Sequence, residues 1–189
     1  MSTPEADPLR DRLLAWVGRS LSRTGPAVSP DEVNIPMIRH WVDALDDHNP
    51  VYLDAGAASR TRFGGIVAPP AMLQSWTMGR PRLEGIAERG GAPDEMDPEN
   101  PIRVLDEAGY VATLATNSEL EFLRYLRPGD RLCSDVVLES VSEHKQTGIG
   151  QGYFVTWVTT YTDGEGEVVG RQLFRILKFK PGAGLGEAS

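Results

Sequence analysis

Thiol chemistry is nearly missing from this 189-residue chain, which carries one cysteine, Cys133. A single cysteine excludes an internal disulfide and a cysteine-rich zinc site. Its neighbours alternate as in a strand, so Cys133 reads as a small hydrophobe on a sheet face. Histidine is scarce too, three in all, and His40 and His144 have no paired ligand at metal spacing, so no metal is expected. No window reaches the roughly 18 consecutive apolar residues of a membrane span. The opening residues, Met1 to Asp7, contain neither the basic region nor the apolar run of a leader, so the chain reads as cytoplasmic with no membrane partner. Positive charge is in deficit, 19 Lys and Arg against 27 Asp and Glu for a net charge of −8. That balance argues against non-specific nucleic-acid binding, although a local patch at Arg80 and Arg82, or at Arg124 and Arg127, can still meet a phosphate such as that of coenzyme A.

What is present is an ordinary globular mixture, 40% hydrophobic and 24% charged, long enough for one domain with a real core. Leu9, Leu13, Trp16, Val17 and Leu21 recur at helical spacing and predict an amphipathic helix on the outside of the domain, running to the Gly25-Pro26 break. A second helix is expected from Asn34, a capping residue, with Pro36 in the first turn and Ile38, Trp41, Val42 and Leu45 as its buried stripe. Asp54 to Arg62 reads as a short polar helix or loop. The Gly64-Gly65 pair then lets the backbone turn closely. From Pro69 or Pro70, the apolar recurrence of Met72, Leu73, Trp76 and Thr77 predicts a helix wrapped by a sheet.

Glu84 to Gly109 is rich in Gly, Pro, Asp and Glu and is expected to be a long irregular excursion. Strands are predicted over Ser118–Leu126, Arg131–Ser142, Gly152–Thr162 and Val168–Lys180, with alternation clearest at Tyr153, Val155, Trp157, Thr159 and Tyr161. Arg127-Pro128-Gly129-Asp130 and Asp163-Gly164-Glu165-Gly166 supply turns. Lys145 to Gly152 is glycine-rich but fits no phosphate-loop spacing, and reads as a hairpin connection. Helices followed by an antiparallel meander spell α+β. The expected organisation is an N-terminal helical extension over 1–30, one domain over 31–182 and a flexible tail over 183–189.

The stretch Leu45-Asp46-Asp47-His48-Asn49-Pro50-Val51-Tyr52, followed by Gly64-Gly65-Ile66-Val67-Ala68-Pro69-Pro70, resembles the motif of the MaoC-like (R)-specific hydratases and dehydratases. In that family a Gly-Asp-x-Asn-Pro-hydrophobic-His segment supplies an Asp and a His that activate the water added across a conjugated thioester. Asp47 falls on the Asp, Tyr52 stands where the His should be, and Asp46 replaces the Gly. A phenol with an ordinary pKa of about 10 is a poor base near neutrality. Further segments, among them Asn34 to Trp41, Arg124 to Gly129 and Phe174 to Phe179, are similar to the N-terminal MaoC-like domain of the larger subunit of steroid side-chain enoyl-CoA hydratases.

The resemblance implies a hotdog fold, an antiparallel sheet wrapped around a central helix, here with extra N-terminal helices. It also implies a heteromeric hydratase of a bulky, steroid side-chain enoyl-CoA, with the thioester as substrate and no separate cofactor. A small hotdog partner would supply the catalytic Asp and His while this chain shapes the acyl pocket. Other members continue into a zinc-ribbon and OB-fold domain that docks a thiolase. This chain stops at Ser189 without cysteines for such a ribbon, which leaves open whether that domain is encoded separately.

Asp47 is either a helix-end cap or a group that orients water, and it is the candidate catalytic residue. His48, its neighbour, projects in a different direction. Tyr52 is a packed aromatic or a substrate contact. Gly64 and Gly65 serve the turn or, with Ile66 and Val67, offer backbone N–H groups to a thioester oxygen. Met72, Trp76 and Met78 are core or acyl-tunnel wall. Two other readings stay open: a self-sufficient homodimeric (R)-hydroxyacyl-thioester dehydratase using Asp47 with His48 or Tyr52, and a non-enzymatic acyl-CoA-binding scaffold.

Overall fold

The computed structural model describes residues 7–22, 25–79, 84–85 and 99–182. Helix α1 (Pro8–Leu14) starts at Asp7, whose side chain accepts from the Arg10 amide at 2.9 Å. The helical pattern was expected to run to Gly25, but α1 stops at Leu14. Beyond it the backbone turns at Gly18, with φ of 80°, and meets the sheet. Gly18 N donates to Leu138 O and Leu21 N to Val136 O, both at 2.8 Å. An open strand edge offers these amides carbonyl partners as good as those of another helical turn. Leu13 and Trp16 are buried in the core with Leu138.

Strand β1 (Ala27–Val28) is followed by α2 (Ile35–Leu45), where the Asn34 side chain accepts from the Met37 amide and Pro36 lies in the first turn, as expected. Ile38 and Val42 are buried; Leu45, the last helical residue, is 62% exposed, a departure from the predicted stripe. Short helices α3 (Pro50–Leu53) and α4 (Ala55–Ser59) follow. The predicted inner helix begins where its prolines put it but is brief, a 3-10 turn over Pro70–Met72 continued by α5 (Leu73–Trp76). Met72, Leu73 and Trp76 are all buried. At about 1.5–3 kcal/mol for each large apolar side chain removed from water, this brief element is held by packing rather than by its own helical hydrogen bonds.

Within the span expected to be irregular, Pro101–Glu107 forms helix α6, capped by Asn100, whose Oδ1 accepts from the Ile102 amide at 2.9 Å. Val104 and Leu105 are buried beneath it. Lys178, buried in the sheet, pairs with Asp106 of this helix and donates to Thr113 Oγ1 at 3.0 Å. The remainder of the span, 86–98, lies outside the described residues, as do Arg80, Arg82 and the 183–189 tail.

The sheet is antiparallel, with strand order β1-β3-β5-β6-β2. Its longer members are β2 (Ala112–Phe122), β3 (Cys133–Val141), β5 (Gly150–Thr162) and β6 (Val168–Pro181). The connection predicted at Lys145 to Gly152 is itself paired, as β4 (Lys145–Thr147) against the start of β5. Strand β2 begins six residues before the predicted Ser118 and ends before Leu126. One face of the sheet carries both core clusters, α1 and α6 against Tyr153, Val155 and Ile176, and the inner helix against Tyr161 and Val169. The inner helix rests directly on the strands: a Cβ on Gly170 would lie 2.6 Å from Leu73 Cδ2. Only glycine permits that approach.

Candidate functional site

The Asp-x-Asn-Pro segment is the C-terminal stop of α2 followed by the start of α3. Asp46 caps α2 in the left-handed region, φ 53° and ψ 37°, where glycine costs least and aspartate is among the tolerated residues. Asp47 N donates to Val42 O at 2.9 Å, completing the cap. Asp47 Oδ1 accepts from Asn49 N at 3.0 Å, and Asn49 Oδ1 accepts from Val51 N at 3.2 Å ahead of Pro50. Two consecutive side-chain turns thus hold Asp47, whose second oxygen is left for another donor.

His48 is turned away. Its Nε2 lies 2.9 Å from Asp46 Oδ1, and the two side chains are 82% and 91% exposed. Tyr52 is half-buried and packs against both Val51 with Val67 and the inner-helix cluster. Burial raises its phenol pKa above the ordinary 10, and the nearby Tyr125 and Asp47 raise it further. The side chain at the expected His position is therefore a protonated hydroxyl at neutral pH, within electrostatic reach of Asp47.

Gly64 turns with φ of 67° and donates to Thr61 O at 3.1 Å, so its amide is used within the turn. The Ala68 amide donates to Leu126 O at 2.8 Å. Between them, no described residue accepts from the amides of Gly65, Ile66 or Val67, and a Cβ on Gly65 would meet nothing within 4 Å. Val67 is buried, whereas Gly65 and Ile66 are partly exposed, so two consecutive donors with no acceptor among the described residues lie beside an open position, the chemistry needed to polarise a carbonyl oxygen. Met72 is fully enclosed, and the buried indole Nε1 of Trp76 has no protein acceptor. Met78 is 63% exposed and lies outside this enclosure.

Other residues enter the site only through tertiary contact. Tyr125 packs at a tilt of 52° against Phe63, 4.5 Å between ring centroids. Arg124, in one of the two patches that could meet a phosphate, is already engaged: it binds Asp130 at 2.7 Å and Asp163 at 2.8 Å, which holds the Asp163 carboxyl below its usual range. Arg127 donates to Phe63 O at 2.5 Å. The Arg-x-x-Arg-Pro-Gly-Asp spacing marks the turn, but only the fold brings Phe63 to it. No group of three metal-capable side chains lies together among the described residues, and no described helix is long and apolar enough to cross a membrane.

An α+β sheet that packs a short buried helix beside this turn-bound Asp and its open amides is the architecture of the MaoC-like dehydratases, and the chain belongs to that class. It matches the family described as "FAS1-like, dehydratase domain region" over residues 15–172. Among curated relatives it is 46% identical over 171 residues to a probable enoyl-CoA hydratase alpha subunit of Thermomonospora curvata, covering 90% of this chain and 51% of that one. It is 43% identical over 157 residues to the 3-oxo-4,17-pregnadiene-20-carboxyl-CoA hydratase alpha subunit of Mycobacterium tuberculosis, covering 82% and 48%. The chain spans about half the length of these relatives.

Among solved structures, a chain of the ChsH1-ChsH2 complex from Mycobacterium tuberculosis matches with a TM-score of 0.76 and 38% identity, with 94% of each chain covered. The MaoC-like dehydratase from Rhodospirillum rubrum shares the fold, with a TM-score of 0.53 at 20% identity over 84% of this chain and 92% of that one. The hotdog expectation is thereby met.

Proposed function

We propose that this chain is the acyl-pocket half of a heteromeric enoyl-CoA hydratase, acting with a small hotdog partner that supplies the catalytic Asp and His. The observation that carries the reading is Tyr52: a protonated phenol occupies the expected His position beside Asp47, and His48 faces solvent with Asp46. With no imidazole at that position, the motif offers no imidazole base to activate water near neutrality. The amides of Gly65 and Ile66 are its contribution to the chemistry, stabilising the enolate-like oxygen as water adds to the β-carbon; Val67, the third candidate, is buried. Asp47 orients a water or a partner side chain. Tyr52 is the accessible part of the apolar wall, and the buried Met72 and Trp76 back it.

The naming of the relatives as alpha subunits, one of them for a steroid-derived CoA thioester, supports a partner chain and a bulky polycyclic acyl group. The domain division, 1–30 as an extension and 31–182 as the hotdog unit, belongs to the same proposal. So does a cytoplasmic setting, and so does thiolase docking through a separate domain.

Enoyl-thioester hydration, followed by loss of the conjugated absorbance, tests the reading. The chain alone is expected to be inactive, and the chain co-expressed with a small hotdog subunit active. Turnover by the chain alone would favour the homodimeric dehydratase, with Asp47 the first residue to mutate. CoA-ester binding without turnover in either preparation would favour the scaffold.

A further inference from the structure

We propose that the Tyr52 hydroxyl donates a hydrogen bond to the thioester carbonyl oxygen, acting with the open amides of Gly65 and Ile66 as a third donor to the charge that develops there. The inference rests on the hydratase reading and deepens it, giving the residue at the expected His position a part in the chemistry as well as in the wall. Replacing an imidazole by a phenol removes a base, but it also installs a donor. A neutral phenol carries one O–H and keeps its proton across the whole physiological range.

No described residue accepts from the Tyr52 hydroxyl. The two deeply buried tyrosines behave otherwise: Tyr153 donates to Asp7 Oδ2 at 2.8 Å and Tyr161 to Gln172 Oε1 at 3.1 Å. Tyr52 is half-buried, its ring packed and its hydroxyl uncommitted. The same packing fixes where that hydroxyl works. Tyr52 and Ile66 both pack against Val51, Ala58 and Val67, and both also reach the inner-helix cluster. Ala68 N donates to Leu126 O at 2.8 Å, which sets the Gly65 to Val67 turn alongside Tyr125, and Tyr125 lies within electrostatic reach of Tyr52. Tyr52, Gly65 and Ile66 therefore share one partly exposed corner, with the buried Val67 behind it.

As the partner's base takes a proton from water and the oxygen bonds to the β-carbon, the conjugated electrons move onto the thioester oxygen. Hydrogen bonds to that oxygen strengthen as its charge grows, so a donor placed there favours the transition state over the bound substrate. The proton stays on the phenol throughout. Burial, Tyr125 and Asp47 all raise the Tyr52 pKa above the ordinary 10, and the group donates without ionising near neutrality. The α-carbon then takes its proton from the partner's acid, and the carbonyl re-forms.

The test uses the complex with its hotdog partner. Tyr52→Phe keeps the ring and deletes only the hydroxyl. It is expected to lower kcat for crotonyl-CoA about a hundredfold, the loss of one oxyanion donor, with KM kept within about twofold and with assembly and melting as in wild type. The carbonyl stretch of bound butyryl-CoA, a saturated thioester that does not react, is read by isotope-edited infrared difference spectroscopy. It should lie at higher frequency in Tyr52→Phe than in wild type, because one hydrogen bond to the oxygen is gone, and a role in packing alone would not move it. Tyr153→Phe deletes a phenol that serves Asp7 in the other core cluster and should leave kcat and the carbonyl stretch at wild-type values. An unchanged kcat with an unchanged stretch in Tyr52→Phe overturns the inference. So does a raised KM with kcat kept, which would leave Tyr52 as wall alone. A wild-type complex that hydrates no enoyl-CoA would instead overturn the hydratase reading, and the inference with it.

Discussion

Along β3, at one side of the sheet, the chain closes its own edge. Residues 18–21 donate to Leu138 O and Val136 O, and Leu138 N returns a bond to Arg19 O. Further along, Ser29 N donates to Leu132 O at 2.7 Å, and Leu132 N donates to Ser29 Oγ at 3.1 Å. Along β2, at the other side, the arrangement is the reverse. Ten consecutive residues, Thr113 to Phe122, are exposed, and Leu114, Leu120 and Phe122 carry apolar side chains into solvent. No described strand pairs with the outer edge of β2. Long exposed edges invite pairing with another chain, and proteins that remain monomeric shield them. Among the described residues one edge is shielded and the other is open, as the proposed partner subunit would require.

The largest expected effect comes from breaking the open edge. Against the proposed partner, Leu114→Lys with Leu120→Lys would bury unpaired charge, and at about 3–5 kcal/mol per uncompensated charge should weaken the proposed heteromer more than a hundredfold. The isolated chain should melt within a few degrees of wild type. Co-purification and thermal unfolding measured together decide it, and retained association would remove β2 from the interface.

The closed edge should respond oppositely, in stability. Leu132 is fully buried, and Leu132→Ala is expected to cost about 2–5 kcal/mol in chemical denaturation. Ser29→Ala should cost about 1–3 kcal/mol, because it leaves the buried Leu132 amide without its acceptor. A negligible loss in both would mean that the closed edge is as unimportant to folding as the open one.

The smallest effect concerns the clamp just beyond β2, where Arg124 ties the strand's exit to the β5–β6 turn through Asp163. Arg124 hydrogen bonding lowers the Asp163 pKa from its ordinary 3.8. The resulting stability is fully present above that ordinary value and is lost as pH falls through the lowered one. Asp163→Asn should therefore remove that small contribution at neutrality, leave stability at the acid end little changed, and so flatten the acid limb of a stability–pH curve below about pH 4. An unaltered acid limb would mean that the clamp contributes nothing.

These two edges also explain which elements were legible. Strands β5 and β6 bury one face, so their alternation shows in Tyr153, Val155, Trp157 and Tyr161, and their predicted limits lie within two residues of the observed ones. The first half of β2, Ala112 to Asn117, was missed, since a strand exposed on both faces leaves no pattern of burial to read. Helix α6 was missed because two turns within a Gly-, Pro- and acid-rich window carry too few apolar positions to mark a period, although Asn100-Pro101 is a sound start signal. At the site, the turn-forming tasks of Asp47, Asn49 and Pro50 are local and were readable. Tyr125, Phe63 and the engagement of Arg124 with Asp163 depend on residues up to 62 positions apart, and no local pattern encodes them.

The sequence by itself determined the α2 cap and stop, the hairpin strands, the family and the replacement of an imidazole by a phenol at Tyr52, because each is written in adjacent residues or at short periods. Only the tertiary structure decided that His48 faces solvent, that Arg124 is neutralised by Asp130 and Asp163, and that, among the described residues, one sheet edge closes while the other stays open. Those outcomes depend on which distant groups reach one another first, and that competition among partners is settled by packing in three dimensions.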